Sequence, residues 1–536
     1  MTTPARPSAL SRGGMVSSSH PAASFAGART LADGGNAVDA TLAMAAVTWL
    51  TLPGQCGLGG DAFAIVREPD GRVWTIGGSG FGPDGGDAQF YRDKSLSSIP
   101  LEGALAVAVP GAPAALAALH AGGATMALTD LWEPAARLAE NGLPCSVKTA
   151  SDVREVLAAV RADPGLSAVF APASTAPRVG TPLRQPDLAR SIRLVASDPD
   201  VFYTGELAER AVASLRAAGA PFSGDEWALA AVVAPEPAVT GRYAGAVIHQ
   251  TPLPTPGWMV LQQAALCDGV VDGLPWLGIE AIDRLASAAR LSFQDRLAFC
   301  GAQNSGASEV LAPDRIESQR RQLATAAPTG APFSVRAGDT TSTVAVDGEG
   351  RAVSFIHSLA LTFGARVTVP GTGIVLNNRL GRGAYLISGH PNEVAPRRKP
   401  LHTLNAWIVT DDENNGGGEL LHVGNTPGGD GQVQWNMQLI SHLLDHGLDP
   451  QHAVAAPRFT VFPGSDADVI GTPAELRVEE TIPEATRDAL AARGHHVVVQ
   501  PARGAGGSAQ VISRDEQGTL HGGSDPRQEG VAIGVD

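Results

Sequence analysis

The chain has 536 residues, 44% of them hydrophobic, and a formal net charge of −15. That is ample for a large buried core, and the acidic balance argues against nucleic acid or an anionic membrane as partner, since both need clustered Lys and Arg.

The first stretch, Met1 to Gly14, is polar and Pro/Ser-rich, lacks the apolar segment of a secretory signal, and reads as disordered. A helical pattern begins near Ala22. After Gly34-Gly35, Asn36 and Asp39 form an N-cap and N3 pair opening an apolar helix to about Leu50. Ala40 to Leu52 is the most membrane-like run and is too short to span, so a buried helix and a cytoplasmic protein are expected. A Gly57–Gly60 turn then leads into paired strands at 62–67 and 72–77.

Residues 101–300 read as mostly helical, with helices near 112–121, 129–141, 151–161, 185–197, 205–218, 256–269 and 278–299. Residues 301–339 lose periodicity and read as a linker, most loosely over 324–339. From Thr340 strands are expected at 341–346, 351–358, 365–369, 405–410 and 419–424, then a helix at 432–446. The last hundred residues add a helix at 483–493 and strands at 496–500 and 509–513. This order fits an α+β fold, a four-layer αββα sandwich of two antiparallel sheets covered by helices. Cys56, Cys145, Cys267 and Cys300 lack CxxC or Cys/His spacing, so buried thiols are expected, with no metal and no cofactor.

Thr340 and Thr341 open a strand directly behind a run rich in Pro, Ala and Gly. On its own this is what β-propensity gives at a hairpin. It is also the arrangement an N-terminal nucleophile needs. A Thr hydroxyl at neutral pH requires a base, and cutting the chain before the Thr supplies its own α-amine, with a pKa of about 8.

Further stretches give that reading company: Gly14-Met15-Val16, His20-Pro21, Gly34-Gly35-Asn36-Ala37-Val38-Asp39-Ala40, Gly57-Leu58-Gly59-Gly60-Asp61-Ala62-Phe63 and Ala108-Val109-Pro110-Gly111. They continue with Pro370-Gly371-Thr372-Gly373-Ile374, Leu376-Asn377-Asn378, Pro427-Gly428-Gly429, Ala456-Pro457-Arg458-Phe459 and Ser524-Asp525-Pro526-Arg527. In this order, over about residues 14–530, the chain resembles the γ-glutamyltranspeptidase family of N-terminal-nucleophile hydrolases. The resemblance implies a precursor cut between Asp339 and Thr340 into chains 1–339 and 340–536 that stay together as a heterodimer. It makes Thr340 the nucleophile, Gly428 and Gly429 the oxyanion donors, and Thr341 and Ser358 hydroxyls near the nucleophile. A tight turn and two polar strand residues remain the plainer readings of those last four.

The family's glutamyl clamp is not matched. Ser79 stands where the carboxylate-gripping Arg is expected, Ala360 at an Asn, Arg379 and Arg382 near the ammonium acceptors, and His402-Thr403 at a Ser-Ser pair. An ammonium facing Arg loses its acceptors and meets a like charge. The motifs around Asp61, Ser79, His402 and Gly429-Asp430-Gly431-Gln432 look more like the family's amidohydrolase-type branch, which includes oxamate amidohydrolase. The expected substrate is therefore the amide of a small carboxylic acid. Arg379, Arg382 or the Arg397-Arg398-Lys399 run would receive the carboxylate; a solvated loop is the other reading of that run. His402 either touches substrate or holds a loop. Rival readings are a true γ-glutamyl hydrolase or transferase, a glutaryl-type acylase, and a silent scaffold that never cuts itself.

Overall fold

Two antiparallel seven-stranded sheets lie face to face in the computed structural model, which describes residues 6–301, 307–323, 339–412, 418–465 and 472–536. The expected linker at 324–338 lies outside the described residues.

One sheet runs, in spatial order, Val531–Val535, Gly14–Ser18, Asp339–Val346, Ala352–Ala360, Asp61–Arg67, Val73–Gly78 and Glu236–Pro237. The other runs Ala9–Ser11, Leu520–Ser524, Gln510–Arg514, Leu420–Asn425, Ala406–Thr410, Ala246–Gln250 and Val239–Tyr243. Side chains alternate across each strand. Phe63, Ile65, Val344, Val346 and Ile356 therefore fill the space between the sheets with Leu404, Ile408, Val423 and Ile512. Their neighbours Ala62, Ala64, Val66, Ala345, Val353 and Phe355 face a helical layer outside. Helices Gly257–Cys267, Ile279–Phe299 and Gly431–Leu444 cover the second sheet in the same way. With both faces buried, the strands read as continuous apolar runs, and the four layers are the expected αββα sandwich.

Helix Ala37–Thr51 shows how local sequence sets an element. The Asn36 side chain accepts from the Val38 and Asp39 amides at 2.8 and 3.1 Å, and Asp39 Oδ2 accepts from the Asn36 amide at 2.9 Å. This capping box starts a helix whose every residue is buried.

Several expectations need correction. Residues 9–11 are a strand paired with Leu520–Ser524, not part of a disordered end. The hairpin Val239–Tyr243 and Ala246–Gln250 interrupts the block read as helical. Helices Ala307–Val310 and Pro313–Leu323 lie where a linker was expected. Residues 365–369 form no named strand; they meet 374–376 through the isolated bridge of Thr368 to Val375 and a few backbone hydrogen bonds. Strands Phe459–Phe462, Glu475–Glu479, Leu520–Ser524 and Val531–Val535 went unforeseen. Most of these are short or Gly-bearing segments at sheet edges. They carry little periodicity, and pairing across the chain decides them.

Candidate active site

Thr340 lies at a fault in its ladder. Asp339 pairs with Ala360 and Thr341 with His357, so Ser358 and Leu359 together oppose Thr340 in a β-bulge. Parity puts Thr340 and Ser358 on the face between the sheets, in line with Val344 and Ile356. There the Thr340 hydroxyl donates to Ser358 Oγ at 3.0 Å. The next pair in register is Ser358 with Asp61. Three polar side chains thus stand side by side where the apolar core ends, all nearly or fully buried.

The end of the Ser358 strand is held from outside. The Leu359 amide bonds the Gln55 carbonyl at 2.9 Å, and the Asn378 amide bonds the Leu359 carbonyl at 3.1 Å. Ala360 takes φ +86°, a conformation costing an alanine on the order of 1–3 kcal/mol. Its amide donates to Ser358 Oγ at 2.8 Å and its carbonyl accepts from Arg382 Nη1 at 3.0 Å. Gly60 allows the preceding loop to press on this corner, since a Cβ there would lie 2.4 Å from the Ser358 carbonyl oxygen.

On the helix-facing side, Thr341 donates to Gln55 Oε1 at 3.0 Å. Gln55, unforeseen as a site residue, thereby ties both strands of the bulge to one loop. Burial pushes the neighbouring Cys56 thiol up to about 12, so it does not compete as a nucleophile.

Opposite stands the Gly428-Gly429 turn, between strand Leu420–Asn425 and helix Gly431–Leu444. Both glycines have positive φ, +131° and +58°. A Cβ on Gly428 would sit 2.0 Å from the Trp435 ring, and one on Gly429 would sit 2.5 Å from Arg382 Nη2. Arg382 therefore touches the corner beyond Ser358 and the glycine turn at once.

Arg379, three residues earlier on the short helix Arg379–Gly383, goes elsewhere. Its Nε donates to Asp61 Oδ2 at 3.3 Å, fully buried. Asp61 also accepts from the Gly111 amide at 3.2 Å. Burial raises its carboxyl to about 6, with Arg379 pulling the other way. His402 Nε2 lies 3.0 Å from Ser79 Oγ and 3.5 Å from Asp61 Oδ2, and Phe63 packs edge-on to its ring. Burial, then the charges of Arg379, Arg296 and Lys399, hold His402 well below its ordinary pKa, so it is neutral. Thr403 is buried in the extended segment leading to strand Ala406–Thr410.

The structure splits the basic run. Arg397 pairs with Asp84 on the surface, Arg398 braces the Glu393 carbonyl, and half-buried Lys399 lies over the Phe81 ring. Asp61 was the signal sequence reasoning passed over: an acid entering an otherwise apolar strand must find a buried partner. All four cysteines are free and buried, and no cluster able to hold a metal occurs among the described residues. No helix among them is long and apolar enough to cross a membrane.

A four-layer αββα sandwich of two antiparallel sheets is the architecture of N-terminal-nucleophile hydrolases. The family model for gamma-glutamyltranspeptidase matches residues 23–535, and the chain belongs to that family. It is 32% identical to the glutathione hydrolase-like YwrD proenzyme of Bacillus subtilis, covering 97% of this chain and 98% of that one. It is 31% identical to the oxamate amidohydrolase proenzyme of Klebsiella pneumoniae, covering 98% and 99%. Among solved structures, a cephalosporin acylase from Bacillus halodurans superposes with a TM-score of 0.88 at 29% identity, covering 100% and 98%. The protein is an amide hydrolase.

Proposed function

We propose that this protein is a self-processing amidohydrolase whose nucleophile is Thr340 and whose substrate is the amide of a small carboxylic acid. The observation that carries the reading is Arg382, whose guanidinium bridges the Ala360 carbonyl beside the Thr340–Ser358 pair and the Gly429 turn. It supports a single cleft with nucleophile, oxyanion donors and a cation together.

In maturation, Thr340 Oγ attacks the Asp339 carbonyl carbon, the C–N bond breaks and the amide becomes an ester. Water then cleaves the ester, leaving an Asp339 carboxylate and a Thr340 with a free α-amine. Chains 1–339 and 340–536 remain together, since both sheets contain strands from each. In turnover, the α-amine takes the Thr340 hydroxyl proton as Oγ attacks the substrate amide. The Gly428 and Gly429 amides receive the oxyanion, and their positive φ suits a turn that presents N–H groups without side-chain obstruction. The leaving amine departs with the proton, and water releases the acyl group from Thr340. Arg382 receives the substrate carboxylate and disfavours an ammonium in the same place. The relative named oxamate amidohydrolase supports an acid amide lacking an amino group.

Intact mass and N-terminal sequencing test the first half. Wild type should give two chains, the smaller beginning at Thr340, and Thr340→Ala should give one uncut, inactive chain. A processed and active Thr340→Ala would end the proposal. For the substrate, small acid amides should be turned over in preference to a γ-glutamyl anilide; the reverse order would favour a glutathione-type enzyme.

A further inference from the structure

Thr340 and the glycine turn stand on different sheets, so their separation is set by how the two sheets lie against each other. The space between the sheets is largely apolar, filled by Val344, Ile356, Leu404, Ala406 and Val423. Apolar packing alone has no direction. One polar side chain crosses this layer. Asn425 pairs with Ala406 in the ladder and lies two residues past Val423, so its side chain enters the same inter-sheet space, three residues before Gly428.

Asn425 Nδ2 donates to Ser354 Oγ at 2.8 Å and to the Phe355 carbonyl at 3.0 Å, with the Thr343 carbonyl at 3.5 Å. Carbonyls only accept, which fixes the orientation of the amide. Ser354 Oγ donates in return to the Gly424 carbonyl at 2.8 Å. Thr343 lies three residues after Thr340, and Phe355 three before Ser358. Asn425 therefore pins the strand that enters the glycine turn to both strands of the Thr340 hairpin, about 10 Å along them from the Thr340–Ser358 pair.

A second tie lies beside the first. Ser342, the next inner-face residue after Thr340, donates from Oγ to the Ser508 carbonyl at 3.0 Å. The adjoining Gly507 is pressed against the turn. A Cβ there would lie 2.9 Å from the Pro427 carbonyl oxygen and 3.0 Å from the Trp435 ring.

Stability does not account for the Asn425 amide. The residue is fully buried, and its Oδ1 has no hydrogen-bond partner among the described residues. A buried acceptor left unmade costs free energy, and a leucine of nearly the same shape avoids that cost. What a leucine does not do is hold the two sheets in one relative position, because hydrogen bonds are directional and apolar contacts are not.

We propose that Asn425 is a positioning residue that sets the Gly428-Gly429 turn at its working distance from Thr340. This rests on the reading of Thr340 as nucleophile and of the turn as oxyanion site. The test is acylation by p-nitrophenyl acetate of processed wild type, Asn425→Leu and Ser354→Ala. Thr340 Oγ bonds the acetyl carbon, the aryl ester C–O bond breaks, p-nitrophenolate leaves, and the α-amine keeps the hydroxyl proton. The acetyl ester is followed by mass on the chain that begins at Thr340.

We expect Asn425→Leu to slow acylation about 10- to 100-fold at an unchanged or raised Tm, and Ser354→Ala to slow it in the same direction. On a small acid amide the loss should fall on kcat and leave KM within about twofold of wild type. Acylation of both variants at the wild-type rate would overturn the assignment. So would a Tm that falls in step with the rate, which is what a merely structural amide predicts. If Thr340 of wild type takes no acetyl group, the nucleophile reading fails and the assignment goes with it. An acylated wild type with equally reactive variants sinks the role of Asn425 alone.

Discussion

The Thr340 hydroxyl rests on Ser358, and the same oxygen accepts the Ala360 amide at the strained corner. What matters there is an oxygen on Cβ, which Ser and Thr both supply. Ser358→Thr should therefore process and turn over at rates near wild type. Ser358→Ala leaves a buried amide and the Thr340 hydroxyl without their acceptor, a loss of about 1–3 kcal/mol. At that magnitude self-cleavage should slow roughly 10- to 100-fold. The fraction of cut chain against time, read by mass, checks this, and equal rates for the two variants would remove Ser358 from the mechanism. Gln55 belongs at this scale too. Its side chain and backbone hold Thr341 and Leu359, yet as one polar residue before a glycine turn it carries no motif.

At the scale of elements, the glycine turn is backed by a frame from the C-terminal third. Trp435 fills the space a Gly428 side chain would need, and the Arg458 guanidinium lies 5.0 Å over its ring. Arg458 bonds Asp525 at 2.5 Å, Asp525 bonds Arg527 at 3.1 Å, and Arg527 bonds Glu479 at 2.7 Å, all buried. Asp525 and Glu479 further accept the Ala509 and Arg458 amides at 3.0 and 3.2 Å. Removing one member of such a network strands its partners' charges, so Arg458→Met should cost about 3–5 kcal/mol. Urea unfolding of the processed protein measures it, and a loss below about 1 kcal/mol would show that the frame carries no strain-bearing load. The Arg458 and Arg527 motifs stand out in the sequence, but their joint purpose does not, because nearly 70 residues separate them.

For the molecule as a whole, pH acts through buried groups. His357 and His442 are lowered to about 3 by burial, and His402 is held well below 6.5. Each takes a proton near pH 6.5 only when unfolded, so the unfolded chain binds more protons and stability falls as pH drops below that value. Asp61, raised to about 6, acts the other way, protonating first in the folded state as pH falls toward 4. At pH 5 each excluded histidine removes about 2 kcal/mol and Asp61 returns about 1 kcal/mol. The histidines win by number. The urea midpoint should fall steadily from pH 6.5 to 4.5, and a flat or rising profile would contradict the burial of these rings in solution.

The sequence by itself determined what short range dictates. The capping box at Asn36 and Asp39 starts a helix, the hairpin opening at Thr340 forms, and a turn with two positive-φ glycines sits at Gly428-Gly429. Periodicity and turn chemistry are local, and the layered αββα class follows from their order. Only the tertiary structure decided which polar residues meet. Arg379 and Arg382 look alike in the sequence, but one turn of helix sends the first to Asp61 and the second to Gly429. The row of Thr340, Ser358 and Asp61 is set by register between strands from distant parts of the chain, and Arg296 reaches His402 across 106 residues. Such contacts leave no periodic trace, because the cost of burying each charge is offset by a partner that folding alone brings near.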